Sequence, residues 1–144
     1  MKKFAFPLTR VMEFRRMQAR AEEIKLEALY AELRAIDTRE VALIQEKVQA
    51  EKTLKSAKSV TGFDLEVFDS YRVAIKEDQK RMDKARADCR KRIDAQLAVL
   101  TAKRRDVKLL EHLKEHRHEK WEKEMFKEID QQAEEAHLAK FVKK

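Results

Sequence analysis

Proline and glycine are almost missing from this chain. Its 144 residues hold one of each, Pro7 and Gly62, far below ordinary usage of the two residues that interrupt helices. There is one cysteine, Cys89, and aromatic residues make up only 7%. Each scarcity excludes something. A single glycine cannot build a glycine-rich phosphate loop or the tight turn of a serine nucleophile elbow. A single cysteine forms no internal disulfide framework, and a reducing compartment is the simpler expectation. Few aromatics and 42% charged residues leave too little apolar volume for a broad globular core. No apolar run reaches the roughly 20 residues of a membrane-spanning helix. The opening Phe4-Ala5-Phe6-Pro7-Leu8 stops at Thr9-Arg10, short of a signal-peptide core.

What remains is dominated by Ala, Glu, Lys, Leu, Arg and Gln, the strong helix formers. Residues 8–57 and 64–140 contain neither breaker. The chain therefore reads as all-α: a long antiparallel two-helix coiled-coil hairpin, with helix A over about 7–58, a turn over about 59–63 and helix B over about 64–140, in one domain spanning 1–144. Thr61-Gly62-Phe63-Asp64 is the natural turn. Gly62 suits a helix end at positive φ, and Thr61 or Asp64 suits the next N-cap. A separate short helix around 63–71 is an open alternative.

Apolar residues alternate three and four apart along both arms, the mark of a coiled-coil seam. Helix A supplies Leu8, Met12, Ala19, Leu26, Leu29, Leu33, Ile36, Leu43, Ala50 and Leu54, with Arg15, Glu22, Glu40 and Lys47 interrupting and Val41, Ile44 and Val48 broadening the stripe. Helix B supplies Phe68, Tyr71, Ile75, Met82, Ala85, Cys89, Ile93, Gln96, Leu100, Val107, Leu110 and Leu113 or Lys114, with Asp78 and Lys103 interrupting. Folding the seam about the turn sets Leu54 opposite Phe68, Leu33 opposite Cys89 and Met12 opposite Leu110. Charge agrees with this alignment. Residues 21–51 hold four basic and eight acidic side chains, whereas 69–99 hold nine and six, so opposite signs face each other. Helix B then outruns helix A by about 25 residues, a C-terminal single-helix overhang of about 35–40 Å.

The free end of this hairpin carries the candidate binding residues. Phe4 and Phe6 lie near Trp121 and Phe126, and unsatisfied aromatics at one end suggest a contact surface; the plainer reading packs Phe4 and Phe6 on helix B near Leu113–Trp121. The same end is the most basic, with Arg10, Arg15, Arg16 and Arg117 prominent, which suits an acidic protein partner. The net charge of +7 mixes 34 basic with 27 acidic residues, so there is no uniform phosphate-binding stripe and no expectation of nucleic-acid binding. His112, His116 and His118 cluster, but without a metalloprotease spacing they read as solvated helix-face residues, and Cys89 reads as a buried seam residue. No residue set suggests catalysis, a metal or a cofactor.

Phe4-x-Phe6-x-Leu8-x-x-Val11-x-x-Phe14-Arg15 resembles the opening of the FliJ-type flagellar export proteins. Leu110-Glu111-x-Leu113-Lys114-Glu115, Trp121-Glu122-x-Glu124 and Asp130-x-x-Ala133 resemble that family's C-terminal stretch. Met12 stands where the family commonly has Leu. The resemblance implies a non-catalytic stalk, similar to the central stalk of rotary ATPases, that enters a hexameric flagellar export ATPase. It also implies contact with the export gate membrane protein and with export chaperones, at the cytoplasmic face of the inner membrane and without membrane insertion. Both termini would then lie at the ATPase end, and Tyr30, Val41, Phe68 and Tyr71 nearer the turn become candidates for gate or chaperone contact. The equivalent stalk of a virulence-type secretion system and a generic coiled-coil scaffold are the alternatives.

Overall fold

The computed structural model describes residues 2–143. The termini of the expected single domain, Met1 and Lys144, lie outside them. The fold is all-helical, with 91% of residues in helix. Two long helices, α1 (Thr9–Ser56) and α2 (Gly62–Val142), pack against each other as in a helical hairpin.

Local chemistry sets the helix ends. α1 begins at Thr9, whose N–H and Oγ1–H both donate to the Phe6 carbonyl at 3.2 and 2.6 Å. Pro7, with fixed φ and no N–H, stands just outside the first turn. At the other end, Thr53 Oγ1 donates to the Gln49 carbonyl and Ser56 Oγ to the Thr53 carbonyl. These hydroxyls compete with the helical ladder, and α1 stops at Ser56 rather than near 58.

The turn is built differently from the expectation. Gly62 does not end a helix at positive φ, since no residue adopts positive φ among those described. It is instead the first residue of α2. The Asp64 N–H donates to Thr61 Oγ1 at 3.2 Å while the Thr61 N–H donates to Asp64 Oδ2 at 3.1 Å. This reciprocal pair satisfies two donors at once and draws Gly62 into the helix behind the Thr61 cap. From there α2 runs unbroken, so residues 63–71 form no separate helix.

The chain divides into two compact units. In Glu22–Val99, the buried residues are Leu26 from α1 and Ile75, Met82, Cys89 and Ile93 from α2. In the unit that joins the chain up to Ala21 with the chain from Leu100, Phe6, Met12 and Ala19 are buried with Leu100 and Val107. Fully burying a side chain such as Ile75 or Met12 stabilises by about 1.5–3 kcal/mol. Every expected seam position of helix A, from Leu8 to Leu54 and including its charged interruptions, is buried or half-buried.

Two expectations about the stripe fail. Ala85 is exposed and its neighbour Arg86 is half-buried instead, held across the helix pair by Asp37 and Glu40. Val41, Ile44 and Val48 do not broaden the stripe; they are exposed, Val41 at 56%. Among the described residues, no helix is long and apolar enough to cross a membrane.

Candidate functional site

In the unit containing both chain ends, residues 2–8 lie along α2 in a non-helical segment. Phe6 is 7% exposed, with the Arg117 guanidinium 5.7 Å over its ring. The Phe4 ring stands edge-on to the His118 ring at 4.8 Å and lies 6.0 Å from Trp121. The Trp121 Nε1–H donates to the Lys2 carbonyl at 3.1 Å. Arg117 and His118 lie four and three residues before Trp121, so each neighbours it on the surface of α2. That surface grips the segment with a cation–π contact, an aromatic pair and a hydrogen bond.

Four of the eight residues expected at this end are therefore brought together. The rings of Phe4, Phe6 and Trp121 are turned inward rather than forming an open aromatic patch, and Arg117 lies over Phe6 while remaining exposed. Arg15 and Arg16 reach across to α2, Arg15 Nη1 lying 3.8 Å from Asp106 and Arg16 Nη2 3.2 Å from Glu111. Such exposed pairs contribute about 0.2–1 kcal/mol each and select alignment more than they stabilise. Arg10 and Phe126 are exposed and engage no residue across the helix pair in the contacts above, whereas Arg16 and Arg117 are exposed but engaged.

His118 corrects a further expectation. His112 and His116 are exposed, but His118 is half-buried between Phe4 and Trp121, with Nδ1 3.6 Å from Glu122. Spacing alone groups it with the other histidines; the residue that distinguishes it, Phe4, is distant in sequence. The available signal was the Trp121 N–H, which needs a partner once its ring is covered. Among the described residues, no group of three or more His, Cys, Asp or Glu is placed to hold a metal.

In Glu22–Val99, charge is organised around Arg86. Its guanidinium donates to Asp37 at 3.0 Å, to Asp83 at 3.1 Å and, closely, to Glu40. Hydrogen bonds to Glu40 and then Asp37 raise its pKa above the ordinary value. Arg92 Nη1 bonds both Glu32 oxygens at 3.1 Å, and Gln96 Nε2 donates to the Glu22 carbonyl at 3.0 Å. The Cys89 thiol, 1% exposed, donates to the Leu29 carbonyl at 3.5 Å. These pairs join the acidic stretch of α1 to the basic stretch of α2.

The four residues expected nearer the turn do not form one surface. Phe68 and Tyr71 are half-buried seam residues rather than surface ones. With Leu54, Val60, Phe63 and Val67 they line an open apolar hollow of about 640 Å³. Tyr30 and Val41 are exposed elsewhere on α1 and do not line it. Sequence reasoning missed Phe63, which is 72% exposed.

Both regions offer surfaces for contact, apolar or basic. No protein-family model, curated protein or solved structure matches the chain.

Proposed function

We propose that this chain is a non-catalytic stalk of the flagellar type III export apparatus: an antiparallel coiled-coil hairpin with a C-terminal single-helix overhang. Its open end inserts into the hexameric export ATPase and promotes ring assembly and turnover. Its turn end reaches the export gate membrane protein and substrate chaperones, at the cytoplasmic face of the inner membrane.

The observation that most supports the reading is the join between Phe4-x-Phe6 and Arg117-His118-x-x-Trp121. The two sequence segments that carry the family resemblance are in contact with each other. They also lie in the unit that holds Arg10, Arg15, Arg16 and the exposed Phe126. In this reading Phe4 and Phe6 shape the end, while Arg10 and Phe126 present it to the ring. A rod that meets each ring subunit differently biases their conformations through its differential contacts and needs no catalysis of its own.

The test is to add the purified chain to the cognate export ATPase and follow hexamer formation and ATP turnover. The stalk reading expects both to rise at micromolar chain. No change in either defeats it and leaves a scaffold without an ATPase partner.

A further inference from the structure

The last turns of α2 present a face that nothing in the chain covers. From Ile129 to Lys143 every residue is exposed. Phe126 and Ile129 are the large apolar groups on this face, 59% and 50% exposed, while Leu138, Phe141 and Val142 lie on other faces of the helix. The segment is helical to Val142. Phe126, Ile129, Ala133 and Ala136 alternate three and four apart, and Lys140 and Lys143 continue the same stripe.

The stripe is self-complementary when one copy is turned end for end. Ala133 then faces Ala136, and the two small side chains let the backbones approach. Ile129 faces Lys140 and Phe126 faces Lys143, each contact made twice by symmetry. The lysine stems cover the apolar side chains while their ammonium groups remain in water. Charge runs the same way. The first half, 126–134, holds Glu128, Asp130 and Glu134 against Lys127, and the second, 135–143, holds Lys140 and Lys143 against Glu135. A reversed copy therefore brings acidic half to basic half, with Asp130 at the flank facing His137. A copy in the same direction would lay like charge on like.

We propose that residues 126–143 pair antiparallel with the same segment of a second copy of this chain, forming a two-fold symmetric dimer. A helical contact about 27 Å long lies toward the small end of specific interfaces, so the dimer dissociates in the micromolar range. The pairing does not rest on the stalk reading.

Sedimentation equilibrium of the full chain across micromolar concentrations tests it. The expected result is a monomer–dimer equilibrium whose dissociation constant rises about tenfold or more in Ile129→Asp and is unmoved in Phe63→Asp at the turn. Lys140→Glu with Lys143→Glu weakens it as well, and circular dichroism confirms that each variant keeps its helix. In a Cys89→Ser background, Ala133→Cys mixed with Ala136→Cys gives a disulfide-linked heterodimer on mild oxidation. A chain that stays monomeric throughout overturns the proposal, as does a dimer that survives Ile129→Asp or disappears in Phe63→Asp. A monomer that still stimulates the export ATPase overturns it while leaving the stalk reading intact.

Discussion

The Arg117 guanidinium sits over the ring of Phe6, 5.7 Å from its centroid, and seals a phenylalanine from the start of the chain against a helix more than a hundred residues away. The contact makes Phe6 a structural anchor. Phe6→Ala is expected to destabilise by about 2–3 kcal/mol, from lost burial and the void left behind. Trp121 is the only tryptophan, so undocking of residues 2–8 reads directly as a red shift in intrinsic fluorescence. Arg117→Lys keeps the charge over the ring and should cost less than about 1 kcal/mol. An unshifted Phe6→Ala spectrum with unchanged stability would refute the anchor.

Gly62 offers a test with a sign. It opens α2 without positive φ, and a Cβ there would meet nothing within 4 Å. Gly62→Ala should therefore stabilise by about 0.5–1 kcal/mol, seen as a higher urea midpoint at constant slope. A left-handed glycine would give the opposite result.

The reciprocal Thr61–Asp64 cap should be visible in the same assay. Thr61→Ala removes the acceptor for the Asp64 N–H and should lower stability by about 1 kcal/mol. The double variant with Asp64→Ala should cost less than the two single losses added, because the residues act as a pair.

Arg86 holds three carboxylates from two helices. Arg86→Met keeps the aliphatic stem and leaves Asp37 and Glu40 facing each other, so Tm should fall by a few degrees and the loss should shrink in high salt. The pH behaviour follows from the raised pKa. The stabilising effect is fully present below the unfolded-state value and is lost only as pH rises through the folded one, far on the alkaline side. Tm profiles of wild type and Arg86→Met should therefore show no arginine titration between pH 6 and 8, about where only histidine ordinarily titrates.

Cys89 is 1% exposed. Its thiol should react with a disulfide reagent only through opening of the helix pair, at a rate that rises in step with destabilising variants such as Ile75→Ala. Prompt labelling of the native chain would show that the seam is open there.

The seam is legible in the sequence because its signal is local and repeated: a three-four alternation of Leu, Met, Ile and Ala needs no knowledge of the partner, and even Glu22, Glu40 and Lys47 can be placed by spacing. Three other features depend on something the spacing does not carry. Ala85 and Arg86 exchange roles because the carboxylates that draw Arg86 in, Asp37 and Glu40, belong to the other helix. Gly62 misleads because two strong turn signals compete in four residues, and the Thr61–Asp64 cap outweighs the glycine's freedom. His118 resembles its neighbours because the ring that covers it belongs to Phe4. At the candidate site the same reason applies: which aromatics gather is readable, but whether they face outward is not, since that depends on residues 2–8 finding α2.

That docking also sets an order of assembly. Arg86 and Glu40 are 46 residues apart in the chain, Gln96 and Glu22 are 74, Arg16 and Glu111 are 95, and Trp121 and Lys2 are 119. Each wider pair closes a longer loop unless a narrower one has already formed, so the contacts of smaller separation cost less entropy to form first. As the chain leaves the ribosome its first residues emerge first and settle last. Phe4 and Phe6 wait, uncovered, until the ribosome has made Trp121.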